Sequence, residues 1–271
     1  MAIAKATISG LTNDTEYGVR VFVEGAYGYQ TALEGATARA TPRAGIRLGD
    51  MSTNPPAKVA LNESGVIQRF KVLAHDFDGN IGRTLVMREY SMAEGDFIPP
   101  GTSVKDDGLF IGGGYDISCN AYLDRLQAEI SAQVTPISLP CQNNLNNLSS
   151  VGTYQQRAFF LSLREAGAVD SALPSGYTPT QIIPAGDSIP YFSTPQNRVL
   201  TNSNGTAYKY MLRDLLKSSD GYRYFSVVTP NGAFNTTNGR EEVYYAVCFT
   251  LPSDMLFSLE PNPDGSYSPI L

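Results

Sequence analysis

Few side chains in this sequence could carry acid–base or nucleophilic chemistry. His75 is the only imidazole, and it lies beside Asp76 directly after a predicted strand. A histidine can serve as a general base, but no G-x-S-x-G or other nucleophile motif accompanies this one. We therefore expect His75 to be an exposed residue beside a turn. Metal sites built on two histidines are excluded, because the chain has only one.

Asp76, Asp78 and Asn80 imitate the start of a calcium-binding loop, in which oxygen ligands recur at every second residue. An EF-hand also needs glycine at its sixth position and glutamate at its twelfth, where this chain has Ile81 and Met87. The segment therefore predicts a hairpin turn. Calcium binding by carboxylates of the longer loops is left open, although the sugar-binding triplets Glu-Pro-Asn and Gln-Pro-Asp are absent.

The cysteines and one glycine run are further candidate sites. Cys119, Cys141 and Cys248 are irregularly spaced and form no C-x-x-C pair, so structural zinc is not expected. We expect three small buried residues, with one bridge such as Cys119–Cys141 as the alternative. The glycines at 112–114 precede a predicted helix, but no Lys-Ser or Lys-Thr follows, so a turn is predicted rather than a phosphate loop. No cofactor is indicated.

Tyrosine and asparagine residues concentrate in the last quarter of the chain. On loops, such residues form adaptable recognition surfaces, and aromatic side chains beside asparagine also suit glycan binding. The alternative is that many of these tyrosines pack a core that has no tryptophan. The ligand-binding candidates are Tyr208, Tyr210, Tyr222, Tyr224, Asn231, Asn235 and Asn238.

The composition favours a turn-rich β protein. Of the 271 residues, 42% are hydrophobic and 17% charged, with 25 Gly, 17 Pro, 16 Tyr and no Trp. This content is too aromatic and too poor in charge for a disordered chain. A net charge of −6 argues against binding to a nucleic-acid backbone, which needs a basic surface. The first residues lack the apolar core of a signal peptide, and no apolar run is long enough to span a membrane, so we expect synthesis in the cytoplasm.

The apolar periodicity predicts strands over 67–73, 84–89, 222–229 and 242–250. The strongest helix is predicted over 119–133, and a second short helix over 157–166. This order of strands, helices, long loops and strands indicates an α+β fold rather than alternating β–α–β units. Within it, we expect Glu165 and Arg213 to form a buried ion pair that orders the core.

Residues 1–45 carry three predicted short strands, at 6–11, 15–24 and 36–41. The motif LTNDTEY, which ends at Tyr17, resembles the L-x-x-x-T-x-Y corner of fibronectin type III domains. The resemblance implies that the Tyr17 hydroxyl closes this corner by a hydrogen bond to the upstream backbone. It covers only the last three strands of that fold. We therefore expect a partial β-sandwich module, cut from a longer parent or completed by another chain.

A linker is predicted over 42–56, and the segments after it resemble a second family. In order, they match motifs of a C-type-lectin-like domain of unknown function found in phage virion proteins and in surface proteins of Firmicutes-type bacteria. The segments are 69–73 (RFKVL), 115–123 (YDISCNAYL), 158–165 (AFFLSLRE), 208–213 (YKYMLR) and 247–253 (VCFTLPS). The resemblance implies such a domain over 46–260, with twisted antiparallel sheets, two short helices and long loops, followed by a C-terminal tail over 261–271.

This sequence departs from the family at its tryptophan positions, which hold Phe70, Tyr122 and Met211. Asp214 also replaces the serine of an Arg-Ser pair. A large aromatic side chain in place of tryptophan can still pack, and tyrosine can still donate a hydrogen bond. The fold is therefore expected to be kept, whereas no shared ligand pocket is inferred.

Together the two resemblances predict a non-enzymatic structural protein of a bacteriophage virion, part of a tail, fibre or capsid surface, that displays the lectin-like domain for host attachment. The expected partners are other virion proteins, a host-surface glycan or protein, and further copies of the chain. Neither nucleic acid nor membrane insertion is expected. The alternatives are an adhesin module on a bacterial surface and a capsid or tail decoration that binds no ligand. An enzyme that oxidises through cysteines ranks behind these, because the cysteine pairing it needs is not evident.

Overall fold

Sheets supply most of the regular structure of this mixed α+β chain, and its helices are short. The chain divides into two compact units, residues 1–45 and 46–271. The computed structural model describes residues 17–24, 30–40, 45–100, 110–142, 151–168, 186–217, 223–237 and 242–271. No helix within these ranges is long and apolar enough to cross a membrane.

The first unit contains an antiparallel pair of strands, β1 (Tyr17–Glu24) and β2 (Gln30–Ala40). Tyr17 pairs with Ala40, and the register shifts between Arg20 and Phe22. The predicted strand over 15–24 is therefore confirmed. The strand predicted over 36–41 is longer than expected, because β2 begins at Gln30. The strand predicted over 6–11 and the backbone bond expected of Tyr17 lie outside what the structure describes.

The second unit is built on a six-stranded sheet with smaller sheets around it. Its described strands are β3 (Ile46–Arg47), β4 (Lys58–Glu63), β5 (Val66–His75), β6 (Arg83–Arg88), β7 (Ile137–Gln142), β8 (Val151–Gln156), β9 (Ala158–Phe159), β10 (Tyr210–Lys217), β11 (Arg223–Val228), β12 (Phe234–Thr237), β13 (Cys248–Pro252), β14 (Leu256–Phe257) and β15 (Ser266–Tyr267). Its described α-helices are α1 (Glu94–Phe97), α2 (Gly114–Tyr122), α3 (Ala128–Ser131) and α4 (Pro195–Arg198). Short 3₁₀ turns cover Leu48–Asp50, Phe77–Gly79, Leu123–Arg125 and Pro190–Ser193.

The six strands of the main sheet run in the order β15-β4-β5-β6-β13-β9. Neighbours are antiparallel except for β15, which is parallel to β4. β4 and β5 form a hairpin closed by Ser64 and Gly65, both at positive φ as a tight turn requires. The strands predicted over 67–73 and 84–89 are confirmed as β5 and β6, and that predicted over 222–229 as β11.

Aromatic side chains fill the core on which the sheet rests. Phe70 meets Phe249 edge-on, with ring centroids 5.4 Å apart, and Phe77 stacks on Phe159 at 5.7 Å. Phe70, Tyr122 and Met211, the three residues that the sequence comparison set against tryptophan, are all at least 98% buried. The core is therefore packed by phenylalanine, tyrosine and methionine in place of tryptophan.

The single long helix predicted over 119–133 is wrong. α2 ends at Tyr122, a 3₁₀ turn follows, and α3 is a separate helix of one turn. The break has a tertiary cause, because β4 forms backbone hydrogen bonds with this segment in place of those of a continuous helix. Leu126 bridges to Glu63, and the Gln127 amide donates to the Asn62 carbonyl at 3.0 Å.

The short helix predicted over 157–166 is also wrong. Ala158 and Phe159 form β9 and pair with Phe249 and Cys248 of β13. The chain then turns, with the Ala166 amide donating to the Ser162 carbonyl at 2.9 Å. Apolar spacing in this segment thus reflects burial on all sides of an irregular chain, which periodicity cannot separate from a helix.

Both ends of the second unit are more ordered than expected. The predicted linker over 42–56 extends too far, because β3 pairs with β14 and Leu48 is fully buried. The segment 261–271, expected as a tail, contributes β15 to the main sheet. The strand predicted over 242–250 is shorter, beginning at Cys248 as β13. The three cysteines are buried and none forms a disulfide, so the alternative of a Cys119–Cys141 bridge is wrong.

Candidate functional site

A concave, polar surface opens at one end of the main sheet, and we call it the polar cleft. It has a volume of about 560 Å³. The β4–β5 hairpin, the end of β6, the segment after α2 and the loop 202–204 supply its walls. Residues in its lining include Gln68, Arg88, Tyr90, Ser91, Arg125 and Asn204. Several chain segments thus present polar groups to one space, as ligand sites require.

The floor of the polar cleft is a buried charge cluster. Glu63 Oε2 accepts a hydrogen bond from Arg88 Nε at 2.9 Å and from the Tyr122 hydroxyl at 2.6 Å. A second Arg88 nitrogen, Nη1, donates to the Tyr90 carbonyl. Burial, and then the negative charge of Glu63, raise the pKa of Tyr122 well above its ordinary value. Because Arg88 neutralises Glu63, the floor is rigid and adds no unpaired carboxylate to the cleft.

Ion pairs on the sheet hold Tyr90 in the wall of the polar cleft. The Arg69 guanidinium donates to the Tyr90 hydroxyl and lies 5.2 Å from the centroid of its ring. Glu89 in turn binds Arg69 Nε at 2.5 Å and Lys58 Nζ at 2.7 Å. The Tyr90 hydroxyl, which accepts from Arg69, keeps its own proton to donate to a ligand.

Three further polar groups line the polar cleft: the Arg125 guanidinium, the Ser91 hydroxyl and the Asn204 amide. Arg125 lies 5.9 Å from the Tyr122 ring, and no carboxylate among the described residues lies within ion-pair distance of it. The Ser91 side chain is 5% exposed, and its hydroxyl has no hydrogen-bond partner within the described part of the chain. Asn202 Oδ1 accepts from the amides of Asn204 and Thr206, and so shapes the loop that exposes Asn204.

A second, smaller concavity lies on the β10–β11–β12 sheet, and we call it the tyrosine hollow. It measures about 380 Å³. Its lining includes Tyr208, Val227, Thr229, Pro230, Asn235 and Thr236. The Tyr208 ring stacks on Tyr244, with centroids 3.9 Å apart and planes 17° from parallel. A smaller share of the lining is polar here than in the polar cleft. The tyrosine hollow offers an aromatic ring beside amide and hydroxyl groups.

Arg198 ties together the loops next to the tyrosine hollow. Its side chain is 8% exposed and lies 4.6 Å from the Phe234 ring. The guanidinium donates to the carbonyls of Phe192 at 2.8 Å and Gly167 at 3.0 Å, and reaches that of Gly232 at 3.5 Å. The loops next to the hollow are therefore fixed by one buried cation whose donors meet backbone oxygens.

Two of the predicted binding residues, Tyr208 and Asn235, line the tyrosine hollow together. Asn231 instead closes the adjacent turn, where its Oδ1 accepts from the Thr229 hydroxyl and the Ala233 amide. Tyr210 belongs to the core, because only 1% of it is exposed. Tyr224 is half-buried against the core. The remaining two candidates, Tyr222 and Asn238, lie outside the described residues.

His75 is more buried than expected. Its Nδ1 lies 3.0 Å from the Thr84 hydroxyl, and its Nε2 lies 2.9 Å from the Met51 carbonyl. Both ring nitrogens are therefore engaged in holding the residues before β4 against the sheet. The expectation of an exposed histidine is wrong, because the bulge between Val72 and Ala74 belongs to a strand that continues through His75.

The calcium-like segment after β5 forms the expected turn, with a 3₁₀ turn at its tip. Asp76 Oδ1 accepts from the Gly82 amide at 2.6 Å, and Asp78 Oδ1 accepts from the Asp187 amide at 2.9 Å. Asn80 binds the backbone of Ser138 through both its amide groups. Across the described ranges, no three His, Cys, Asp or Glu side chains gather as they would around a metal ion.

The predicted ion pair of Glu165 and Arg213 is confirmed, and it is fully buried. Arg213 Nη1 lies 2.5 Å from Glu165 Oε2, and the guanidinium also donates to the carbonyls of Phe160 and Pro140. Burial raises the pKa of Glu165 to about 8, and the Arg213 charge acts in the opposite direction. The Asp214 carboxylate beside them accepts from the Leu163 amide. This cluster is internal to the core and has no route to a ligand through the polar cleft, whose lining does not include it.

Sequence reasoning missed most of the polar cleft. Arg88, Tyr90 and Ser91 come at the end of a correctly predicted strand, and that position is a usable signal because strand ends meet at sheet edges. Asn204 belongs to a cluster of asparagines visible in the sequence. Arg125 had no signal, because it was placed within a continuous helix that the fold breaks.

The chain shows no significant match to protein-family models, to curated proteins or to solved structures.

Proposed function

We propose that this protein is a non-enzymatic attachment protein whose polar cleft binds a glycan on a host cell surface. The observation that carries the proposal is the cleft itself. It presents the Arg125 cation, the Asp96 carboxylate, hydroxyl groups and amides around about 560 Å³ of space. Sugars expose many hydroxyl groups, so a surface of mixed donors and acceptors on rigid elements suits them.

The proposal includes the two fold resemblances. On the five ordered segments, we propose that residues 46–260 form a domain of the C-type-lectin-like family of phage virion and bacterial surface proteins. On the corner motif, we propose that residues 1–45 form part of a fibronectin type III module. Three of the five segments fall on β5, β9 and β13 of one sheet, and a fourth opens β10. Motifs that share a sheet are what a common scaffold predicts.

We further propose that the protein acts in the virion of a tailed phage, in its tail, fibre or capsid surface, with other virion proteins as partners. Fibronectin-type modules and lectin-like domains together suit display on a particle. In this role the sheet supplies rigidity, and the loops around the polar cleft supply recognition.

Binding of the purified protein to intact host cells and to isolated wall glycans tests the proposal. We expect Arg125→Ala to weaken binding at least about tenfold, because Arg125 brings the one cation of the cleft lining that lacks an ion-pair partner among the described residues. The matched control is Arg164→Ala, since Arg164 is exposed on a turn and lies outside both concavities.

Two results would contradict this function. One is that the wild-type protein binds neither cells nor wall glycans yet enters particles tightly, which favours a purely structural decoration. The other is that Arg125→Ala and Arg164→Ala bind equally well, which removes the polar cleft from recognition.

A further inference from the structure

The polar cleft and the tyrosine hollow share one wall. Tyr244 lines the polar cleft, and Tyr208 lines the tyrosine hollow. Their rings are stacked 3.9 Å apart and nearly parallel. Each concavity is therefore lined by one member of the same stacked pair of rings.

The backbone holds this shared wall in position. The Tyr244 amide donates to the Lys209 carbonyl at 2.9 Å, and the Met211 amide donates to the Tyr244 carbonyl at 3.0 Å. The segment that carries Tyr244 is thus paired with the start of β10. Because both rings sit on paired backbone, the two concavities keep a fixed spacing.

The chemistry of the two spaces differs in a complementary way. The polar cleft offers Arg125, Asn204 and the Tyr90 hydroxyl. The tyrosine hollow combines the Pro230 ring and the Tyr208 ring with hydrogen-bonding side chains such as Asn235. An aromatic ring beside an amide suits a sugar ring, whose C–H face is apolar and whose edge carries hydroxyl groups.

We infer that the ligand is an extended glycan whose consecutive units occupy the polar cleft and the tyrosine hollow, and that the hollow is a second subsite of the same binding surface. This inference rests on the proposed function and deepens it. Two linked subsites raise affinity for a chain that fills both, because the second unit binds without a new loss of translational freedom. Single sugars gain nothing from the hollow once they occupy the cleft.

The test uses the full chain and an array of sugars, each presented as the monomer, the dimer and longer linear oligomers. We expect affinity for the recognised sugar to rise at least about tenfold between the monomer and the longer oligomers. Asn235→Ala weakens the oligomers selectively, so that the gain with length disappears. Arg125→Ala weakens every length, and Arg164→Ala is the control.

A second readout follows binding without mutation. The chain has no tryptophan, so its near-ultraviolet absorbance reports tyrosine. We expect oligomers, more than monomers, to perturb the tyrosine difference spectrum, because the chain passes the Tyr208–Tyr244 pair. Tyr208→Phe removes the hydroxyl from the pair and alters this spectrum.

The outcomes separate the two proposals. A monomer that binds as tightly as its oligomers, or an Asn235→Ala variant with an unaltered length dependence, overturns the extended ligand and leaves glycan attachment standing. Absence of binding at every length overturns glycan attachment, and the inference with it.

Discussion

Buried charge is the main residue-scale feature of the second unit, and it was only partly visible in the sequence. The pairing of Glu165 with Arg213 was predicted from two residues 48 positions apart. The contribution of Asp214 was not predicted, because the sequence showed only that an aspartate follows Arg213 where the resembled motif has serine. In the structure both Arg213 and Asp214 are 1% exposed. A charged side chain that is this deeply buried needs a hydrogen-bonded or oppositely charged partner. The cluster therefore destabilises the fold unless every member stays paired.

Asp214 gives a pH-dependent prediction. Burial raises its pKa to about 6, with Arg213 and the Leu163 amide acting in the opposite direction. An acid with a raised pKa in the folded state contributes full stability below its unfolded pKa and loses it as the pH rises to the folded pKa. We therefore expect the free energy of unfolding of the wild-type protein, relative to Asp214→Asn, to fall by on the order of 3 kcal/mol between about pH 4 and pH 6.

Urea unfolding at several pH values measures this difference. Asp254→Asn is the control, since Asp254 is an exposed carboxyl group outside the buried cluster. A difference between wild type and Asp214→Asn that stays constant from pH 4 to pH 6 would show that Asp214 does not titrate in this range.

The cysteines give a second residue-scale prediction. Cys119, Cys141 and Cys248 form no disulfide and are at least 99% buried, and burial raises the pKa of each thiol, that of Cys141 to about 12. Reaction with a thiol reagent needs an accessible thiolate. We expect no rapid reaction with Ellman's reagent in the native protein and three reactive thiols after denaturation without reductant. One reactive thiol in the unfolded chain would instead show a bridge.

At the scale of elements, strands were easier to predict than helices. β5, β6 and β11 are short segments that contain β-branched or aromatic residues and lie between turn residues, and this combination favours strands over helices. The helix predicted over 119–133 was wrong because a neighbouring strand forms a hydrogen bond with its backbone, as β4 does at Gln127. Such competition depends on a partner more than 60 positions away, so no local pattern can contain it.

The turn beside the tyrosine hollow gives a prediction at this scale. Gly232 has φ +79°, and a Cβ there would lie 1.9 Å from the Pro195 carbonyl oxygen. Gly205 has a similar φ of +81°, but a Cβ there meets open space. We expect Gly205→Ala to cost about 1–2 kcal/mol of unfolding free energy from the backbone conformation alone. Gly232→Ala should cost clearly more, because the turn must also move away from α4.

Thermal unfolding of both variants measures the two costs, and their difference isolates the steric contact. Equal destabilisation by the two substitutions would mean that the turn moves freely and that Arg198 does not anchor it.

At the scale of the whole molecule, the residues that carry the family resemblance are mainly core residues. Phe70 and Met211 touch no concavity, and Tyr122 lies beneath one. Such residues specify a scaffold, so the α+β class could be predicted. The structure confirms that class. The polar cleft was not predictable, because its walls come from segments brought together only by folding.

The C-terminal segment provides the whole-molecule prediction. β15 covers the outer edge of β4, and the Ile270 amide donates to the Leu256 carbonyl at 2.9 Å. Deleting residues 261–271 uncovers that edge and exposes Phe257, which is fully buried. We expect a loss of at least about 2 kcal/mol of unfolding free energy. We also expect association between chains through the free strand edge.

Chemical unfolding and light scattering check these effects. Removal of Leu271 alone is the control, because its side chain is 53% exposed. A truncated protein as stable and as monomeric as this control would show that the segment adds nothing to the sheet.

The strand order has a consequence for how the protein is made. β13 (Cys248–Pro252) lies between β6 (Arg83–Arg88) and β9, so β6 lacks one of its two neighbours until residue 252 has left the ribosome. More than half of the chain is synthesised while one edge of that inner strand is unpaired, and such an edge invites association. Sheets joined across long stretches of chain also fold slowly. We therefore expect slower synthesis at a lower temperature to raise the soluble yield.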